Sequence, residues 1–394
     1  MKRLARLLAR GVAPLPGNRL ALLAGGAEFF PALLADIAAA RREIHLETYI
    51  FNPDVSGEAV RDALARAAAR GVDVRVMVDG VGVRAVPKSW FGPLTAAGAS
   101  LLVYRPLLPG RWLRAASLRR LHRKLVVIDA RIAYVGGMNL IDDDQPVRHA
   151  RPRLDFSVRV EGPLLTQIYP AMRRLWRRVA VAHWRGELLR EKPLAPSWPT
   201  DGHARVAWLE RDNFAHRRGI ERSYRAALAL AREDVFIASA YFMPGRRFRR
   251  LLRLAVERGV RVRLLVQGTS DHPVYRLASQ ALYRELLAAG VRILVYDAGE
   301  LHAKVAVVDG DWATVGSSNI DPFSLLLARE ANIVTDDAAF CADLRGRLDA
   351  AAAGARELDP RVWARRGWLA RLGSRLAYSG VRLLVGLAGF ARWD

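Results

Sequence analysis

The sequence predicts an α/β fold built twice within one chain of 394 residues. Three observations predict it. The frame His-x-Lys-x-x-x-x-Asp occurs as "LHRKLVVID" at 121–129 and again as "LHAKVAVVD" at 301–309. Around it, "ARGVDVRVMVDG" (69–80) matches "ERGVRVRLLVQG" (257–268) at seven of twelve positions, and "AAGASLLVY" (96–104) matches "AAGVRILVY" (288–296) at six of nine. Amphipathic stretches of helical length also end on Gly and run directly into β-branched apolar runs, as when helices cover a parallel or mixed sheet. The matched segments keep their order while loop lengths differ, which marks a duplication.

In the first copy, "IHLETYIF" (44–51) reads as a strand from its β-branched and aromatic content, and "SGEAVRDALARAAARG" (56–71) as a helix stopped by Gly71. "VDVRVMVD" (72–79) is the next strand, and "LTAAG" closes a short helix before the strand "ASLLVY" (99–104). The second copy repeats this with "DVFIASAYF" (234–242), "RRFRRLLRLAVERG" (246–259), "VRVRLLVQ" (260–267) and "VRILVY" (291–296). Both His-x-Lys frames are strands by their Val/Ile runs. The predicted organisation is a basic segment 1–16, a first half 17–162, a basic connection 163–204, a second half 205–350 and a basic amphipathic tail 351–394.

Charge narrows the partners. Sixty-two Lys and Arg against 39 Asp and Glu leave a net charge of +23, suited to a polyanion such as an anionic membrane or nucleic acid. Only five of the basic residues are lysines, and two of these, Lys124 and Lys304, stand inside the repeated frames. Where bulk charge suffices the sequence uses Arg, so these positions call for a compact ammonium. A single cysteine, Cys341, excludes an internal disulfide framework and fits a reducing compartment. The basic N-terminus lacks the apolar core of a secretory signal, and no apolar run approaches the ~18 residues of a membrane span. A peripheral protein on the cytoplasmic face of the cell membrane is expected.

On a strand, residues i and i+2 share a face, so His122 and Lys124 project together, as do His302 and Lys304. A neutral imidazole can attack phosphorus or carry a proton near pH 7. An ammonium beside it can hold phosphate oxygens as charge develops. Asp129 and Asp309 end the strands, where a carboxylate suits nearby backbone or basic groups. Each frame is followed by small residues and an Asn, "GGMN" (136–139) and "GSSN" (316–319). Asn139 and Asn319 offer amide donors, and Ser317 offers a hydroxyl that the first copy lacks. Further on, Asp155 and Glu330 are carboxylates able to accept the second ring N–H of a histidine, fixing its tautomer.

These residues resemble the phospholipase D superfamily, whose signature is H-x-K-x4-D followed by G-[SG]-x-N in two copies; the resemblance covers roughly 17–340. It implies two α/β/α sandwich halves about a pseudo-twofold axis, with one active site between them. That site would gather His122, Lys124, Asn139, His302, Lys304 and Asn319. The resemblance counts Asp129 and Asp309 in the catalytic frame and Ser317 with the phosphate contacts. His122 would attack to form a phosphohistidine while His302 protonates the departing alcohol, with no cofactor and no metal.

Within the superfamily, "GNRLALLAGGAEFFPALLADIAAARREIHLETYIF" (17–51), "GGMNLIDDD" (136–144) and "AYFMPG" (240–245) look like bacterial cardiolipin synthases, and the short length without N-terminal spans resembles the B type. The implied reaction joins two phosphatidylglycerols, one the donor and one the acceptor alcohol, into cardiolipin and glycerol. The alternative is a phosphodiesterase of this fold hydrolysing phospholipid or nucleic acid. No specific nucleic acid is expected, because the tail 361–393 interleaves Arg with Trp, Leu and Tyr and holds no acid, as an interfacial helix does. The Arg-rich stretch 105–124 would guide anionic head groups. His45, His149, His183, His203, His216 and His272 are expected to be structural or at the surface. Tyr49 and Tyr241 occupy equivalent strand ends, and Asp142–Asp144 reads as a solvated turn.

Overall fold

The computed structural model describes residues 12–107, 119–143, 151–189, 192–199, 201–212, 216–268 and 273–387. His149, His272, Asp144 and most of the Arg-rich stretch ahead of the first frame lie outside the described residues.

The first half runs β1 (Leu15–Ala24), α1 (Gly25–Ala39), β2 (Glu43–Thr48), α2 (Val55–Ala69), β3 (Asp73–Asp79), α3 (Gly92–Ala96), β4 (Ser100–Tyr104), β5 (Lys124–Ile128), β6 (Ile132–Gly136), β7 (Arg151–Leu154) and β8 (Phe156–Glu161). Helix α4 (Leu165–Ala182) occupies the connection. The second half runs β9 (Ala204–Arg211), α5 (Gly219–Leu230), β10 (Asp234–Ser239), α6 (Arg246–Glu257), β11 (Arg261–Gln267), α7 (Pro273–Ala288), β12 (Arg292–Tyr296), β13 (Gly299–Leu301), β14 (Lys304–Val308), β15 (Trp312–Gly316), α8 (Pro322–Leu326) and β16 (Glu330–Thr335). After it come α9 (Ala338–Ala353), β17 (Arg356–Glu357), α10 (Pro360–Ala364) and α11 (Trp368–Leu387).

The strands order as β17-β12-β11-β10-β14-β15-β16-β9-β1-β8-β6-β5-β2-β3-β4. Apart from β17, this order is palindromic about the β1–β9 junction, as a duplicated chain requires. β2, β3 and β4 are parallel, as are β10, β11 and β12, and the strands between them are antiparallel. The register slips between Leu15 and Asn18 at the junction. There the sheet folds back, so that β6 and β8 lie directly against β15 and β16. Leu125, Val127, Phe156 and Val158 of one half meet Phe236, Val305, Val307 and Val315 of the other in one buried layer. α1 to α3 cover the outer face of the first half and α5 to α7 that of the second.

This stacking positions the site. The residue before each His pairs with the other half: Leu121 bridges Arg329, and Leu301 of β13 pairs Leu154 of β7. The halves therefore interlock immediately beside His122 and His302.

Candidate active site

Each histidine arrives held by its own backbone. The His122 amide donates to the Arg329 carbonyl at 3.0 Å, and the His302 amide to the Leu154 carbonyl at 2.9 Å. The residue after each of those carbonyls is the acid. Glu330 and Asp155 are thereby delivered to the histidine of the opposite half. His122 Nδ1 lies 2.9 Å from Glu330 Oε1, and His302 Nδ1 lies 2.5 Å from Asp155 Oδ2. The acids are 0% and 1% exposed, whereas the imidazoles keep 19% and 16% of their surface. An Nδ1–H donated to a buried acid leaves Nε2 as the nitrogen open to the cleft, the tautomer required of a nucleophile or proton carrier.

Lys124 and Lys304 complete the constellation in matching fashion. Lys124 Nζ donates to the His122 carbonyl at 2.7 Å, and Lys304 Nζ donates to that of His302. Burial lowers the Lys124 ammonium to about 7 and Lys304 to about 8; the two repel one another, while Glu330 and Asp155 pull both up. Burial leaves the two ammonium groups incompletely compensated. An anion entering the cleft would supply the missing negative charge.

The histidines are held neutral. Burial lowers His122, opposed by Glu330 and assisted by Lys124 and Lys304. Burial also takes His302 well below its ordinary value, with Lys304, Arg153 and Lys124 adding to the effect. The acids differ. Burial pushes Glu330 up, but His122, Lys124 and the Ser317 hydroxyl more than offset it, so its carboxyl sits below the usual range. Asp155 is raised by burial despite both lysines.

Asp129 and Asp309 take the backbone-pairing role expected of strand-end carboxylates, not the catalytic one the resemblance gave them, and Ser317 is placed differently from its expectation. Asp129 and Asp309 stand at the far ends of β5 and β14, on the order of 15 Å along the strand from the lysines. Asp129 accepts the backbone N–H groups of Arg41, Arg42 and Glu43, and Asp309 those of Arg232, Glu233 and Asp234. They pin the starts of β2 and β10 and do not reach the reacting centre. Ser317, expected on the phosphate, is fully buried; its hydroxyl donates to Glu330 at 2.5 Å and accepts the Ala331 N–H. It orients the acid.

The first copy has Gly137 at that position for a physical reason. A Cβ there would fall on the Asp155 carboxylate, because the shorter Asp side chain holds its oxygens nearer the backbone. Gly–Asp and Ser–Glu are thus two solutions of one packing problem. Asn139 and Asn319 are both buried, but they differ: Asn139 Oδ1 accepts the Ile50 N–H, while Asn319 Oδ1 has no partner among the described residues.

Sequence reasoning missed the residues that anchor each frame. Asp79, at the end of β3, accepts the Leu121 N–H at 2.8 Å, and Gln267, at the end of β11, accepts that of Leu301. The signal was present in "VMVDG" against "LLVQG", where unlike residues at one aligned position both carry a side-chain oxygen. Tyr49 packs its ring 5.1 Å from that of His122, with Lys124 Nζ 5.5 Å over it. The acidic run is structural rather than merely solvated: Asp142 accepts N–H groups of Val55 and Ser56, and Asp143 accepts that of Gly26, at the starts of α2 and α1. His45 is buried beside Glu43 and Arg75, whereas His203 and His216 are exposed. Glu210, Asp212 and His216 bring donor atoms within 4.8 Å of one another, a grouping that spacing did not announce. Glu210 lies 3.7 Å from Arg123, and Asp212 accepts the His216 N–H.

A family model described as "Cardiolipin synthase, PLD-like domain" matches residues 33–151 and 224–351, one match in each half. Cardiolipin synthase B of Escherichia coli K12 is 39% identical over 387 residues, covering 95% of this chain and 90% of its own. Cardiolipin synthase A of Cronobacter sakazakii is 33% identical over 377 residues, covering 94% of this chain and 76% of its own. Among solved structures, phosphatidylserine synthase of Haemophilus influenzae matches with a TM-score of 0.66 at 14% identity, covering 97% of both chains, a likeness of fold alone.

Proposed function

The chain belongs to the phospholipase D-like cardiolipin synthase family, and on that basis we propose that it is a phosphatidyltransferase joining two phosphatidylglycerols into cardiolipin and glycerol. The observation that carries the reading is the pair of imidazoles, each backed by a buried acid of the opposite half and each beside a buried ammonium. Two-step transfer at phosphorus needs a nucleophile and a proton carrier on opposite sides of the phosphate, and each half supplies one.

In the proposed mechanism His122 Nε2 attacks the donor phosphorus. The bond from phosphorus to the glycerol oxygen breaks, and that oxygen takes a proton from His302 Nε2. Lys124 and Lys304 hold the non-bridging oxygens as charge builds on them. The acceptor then gives its hydroxyl proton to His302 and attacks the phosphohistidine, so that the P–N bond breaks and His122 returns neutral. The ionised Glu330 favours His122 for the first role, because the attacking imidazole gains positive charge as its bond forms. Burial and the neighbouring cations favour neutral His302 before substrate binds. The phosphodiester anion favours its charged form, so substrate binding loads the acid.

Substrate and the tail 361–393 both argue for work at a membrane surface, peripheral and on the cytoplasmic face. Among the described residues no helix is long and apolar enough to cross a membrane. The test of the reaction is purified protein on phosphatidylglycerol vesicles, with lipids read by mass spectrometry. Cardiolipin and glycerol in equal amounts are expected; phosphatidic acid as the main product would make the enzyme a hydrolase.

The same site sets a pH dependence. Free-enzyme kcat/KM is expected to fall as pH rises through 7 to 8, as Lys124 and then Lys304 lose the proton that binds phosphate. The acid limb should lie below 6.5, where His122, depressed by burial, takes up a proton and can no longer attack phosphorus. In kcat the alkaline limb moves up, because bound phosphate holds both lysines protonated. A kcat/KM profile flat from pH 6 to 9 would remove the lysines from substrate binding.

A further inference from the structure

Helix α11 (Trp368–Leu387) is apolar on two opposite sides. At about 100° per residue, Ser374, Val381 and Val385 form one narrow stripe, and all three are buried, with the helix packed on α7. Trp368, Leu369, Leu372, Leu376 and Leu383 fall on an arc of about 100° centred on the other side. They are 65%, 65%, 45%, 63% and 64% exposed. Thirteen large apolar side chains are exposed among the described residues, and six of them lie on this helix. Isolated exposures are ordinary; a continuous stripe marks a surface that something covers.

The polar part of the helix says what covers it. Arg371, Arg375 and Arg382 fall in a band about 40° wide bordering the exposed stripe. They make no ion pair among the described residues, and 361–387 contains no Asp or Glu. A second copy of the chain would bring the same arginine border against itself in a self-complementary contact. An anionic lipid surface offers phosphates at the depth of the arginines and acyl chains beneath them. Arginines within the helix also oppose any crossing of the bilayer.

We propose that the outer face of α11 lies in the interfacial plane of an anionic phospholipid bilayer while its inner face holds the catalytic body. The tail is thus packed and membrane-facing at once. α11 also touches α8, which begins three residues after Asn319, so docking by this face sets the catalytic cleft close to the lipid surface. The choice of lipid rests on the transferase reading; the docking face does not.

The test uses the full chain carrying Leu372→Gln, Leu376→Gln and Leu383→Gln together. The buried stripe is untouched, so circular dichroism and melting temperature should match the parent. Co-sedimentation with vesicles of equal phosphatidylglycerol and phosphatidylethanolamine is expected to weaken at least about tenfold. Turnover of a short-chain phosphatidylglycerol kept below its micelle concentration should stay within about twofold of the parent. Vesicle binding equal to the parent's would overturn the proposal. So would an equal loss of turnover on soluble substrate, which would make the stripe structural. A parent dimer converted to monomers by the variant would assign the face to a second copy instead. Failure of the parent itself on soluble substrate would count against the transferase reading and leave vesicle binding to be judged separately.

Discussion

Replacing His122 by Ala is expected to reduce phosphatidyl transfer by about 10⁴-fold or more, and His302→Ala to do the same with phosphatidylglycerol as donor. Neither change should unfold the protein. Both rings line the cleft with part of their surface exposed, and the lysines bond the backbone carbonyls of 122 and 302, which Ala retains. The two losses differ in origin. Without His302 the leaving glycerol has no proton; without His122 no bond to phosphorus forms. A donor with a p-nitrophenyl leaving group departs unprotonated, so it should restore a burst of p-nitrophenol in His302→Ala and none in His122→Ala. A burst in His122→Ala alone would exchange the two roles, and wild-type turnover in either variant would end the mechanism.

Much of this architecture was legible because duplication writes the same local rules twice. The helix–Gly–strand runs and the two His-x-Lys frames name their elements through amphipathic stretches, Gly stops and β-branched runs, all of which the chain carries locally. What failed to show was everything decided by how the halves stack. Nothing near Asp155 or Glu330 says which histidine each will meet, since the contacts span 147 and 208 residues and arise from the fold-back at β1–β9. Ser317 looked like a phosphate ligand because hydroxyls bind phosphate, yet burial against Glu330 gives it to the acid. Asp129 and Asp309 belong to the repeated pattern because strand starts need pinning twice; their place at the strand ends pointed to that role, while the resemblance counted them in the catalytic frame. The tail posed the same difficulty: a single apolar pattern could not reveal two opposed stripes until α7 covered one of them.

The crossing of the acids makes the second large prediction. Glu330→Gln and Asp155→Asn keep a carbonyl oxygen that can accept the histidine Nδ1–H, but they remove the charge. Each should lower kcat by about 10²- to 10⁴-fold, as when an imidazolium loses its carboxylate partner. The step that slows identifies the histidine served. Glu330 supports His122, so Glu330→Gln should slow the p-nitrophenol burst, which reports attack alone. Asp155 supports His302, so Asp155→Asn should leave that burst near the parent rate while turnover of phosphatidylglycerol collapses. If each acid served the histidine of its own half, the two results would change places. Both buried carboxylates also favour the charged form of both lysines, so removing either charge should lower the ammonium pKa values further. The alkaline limb of kcat/KM in both variants should therefore move to lower pH than in the parent, an effect that lost packing alone would not produce.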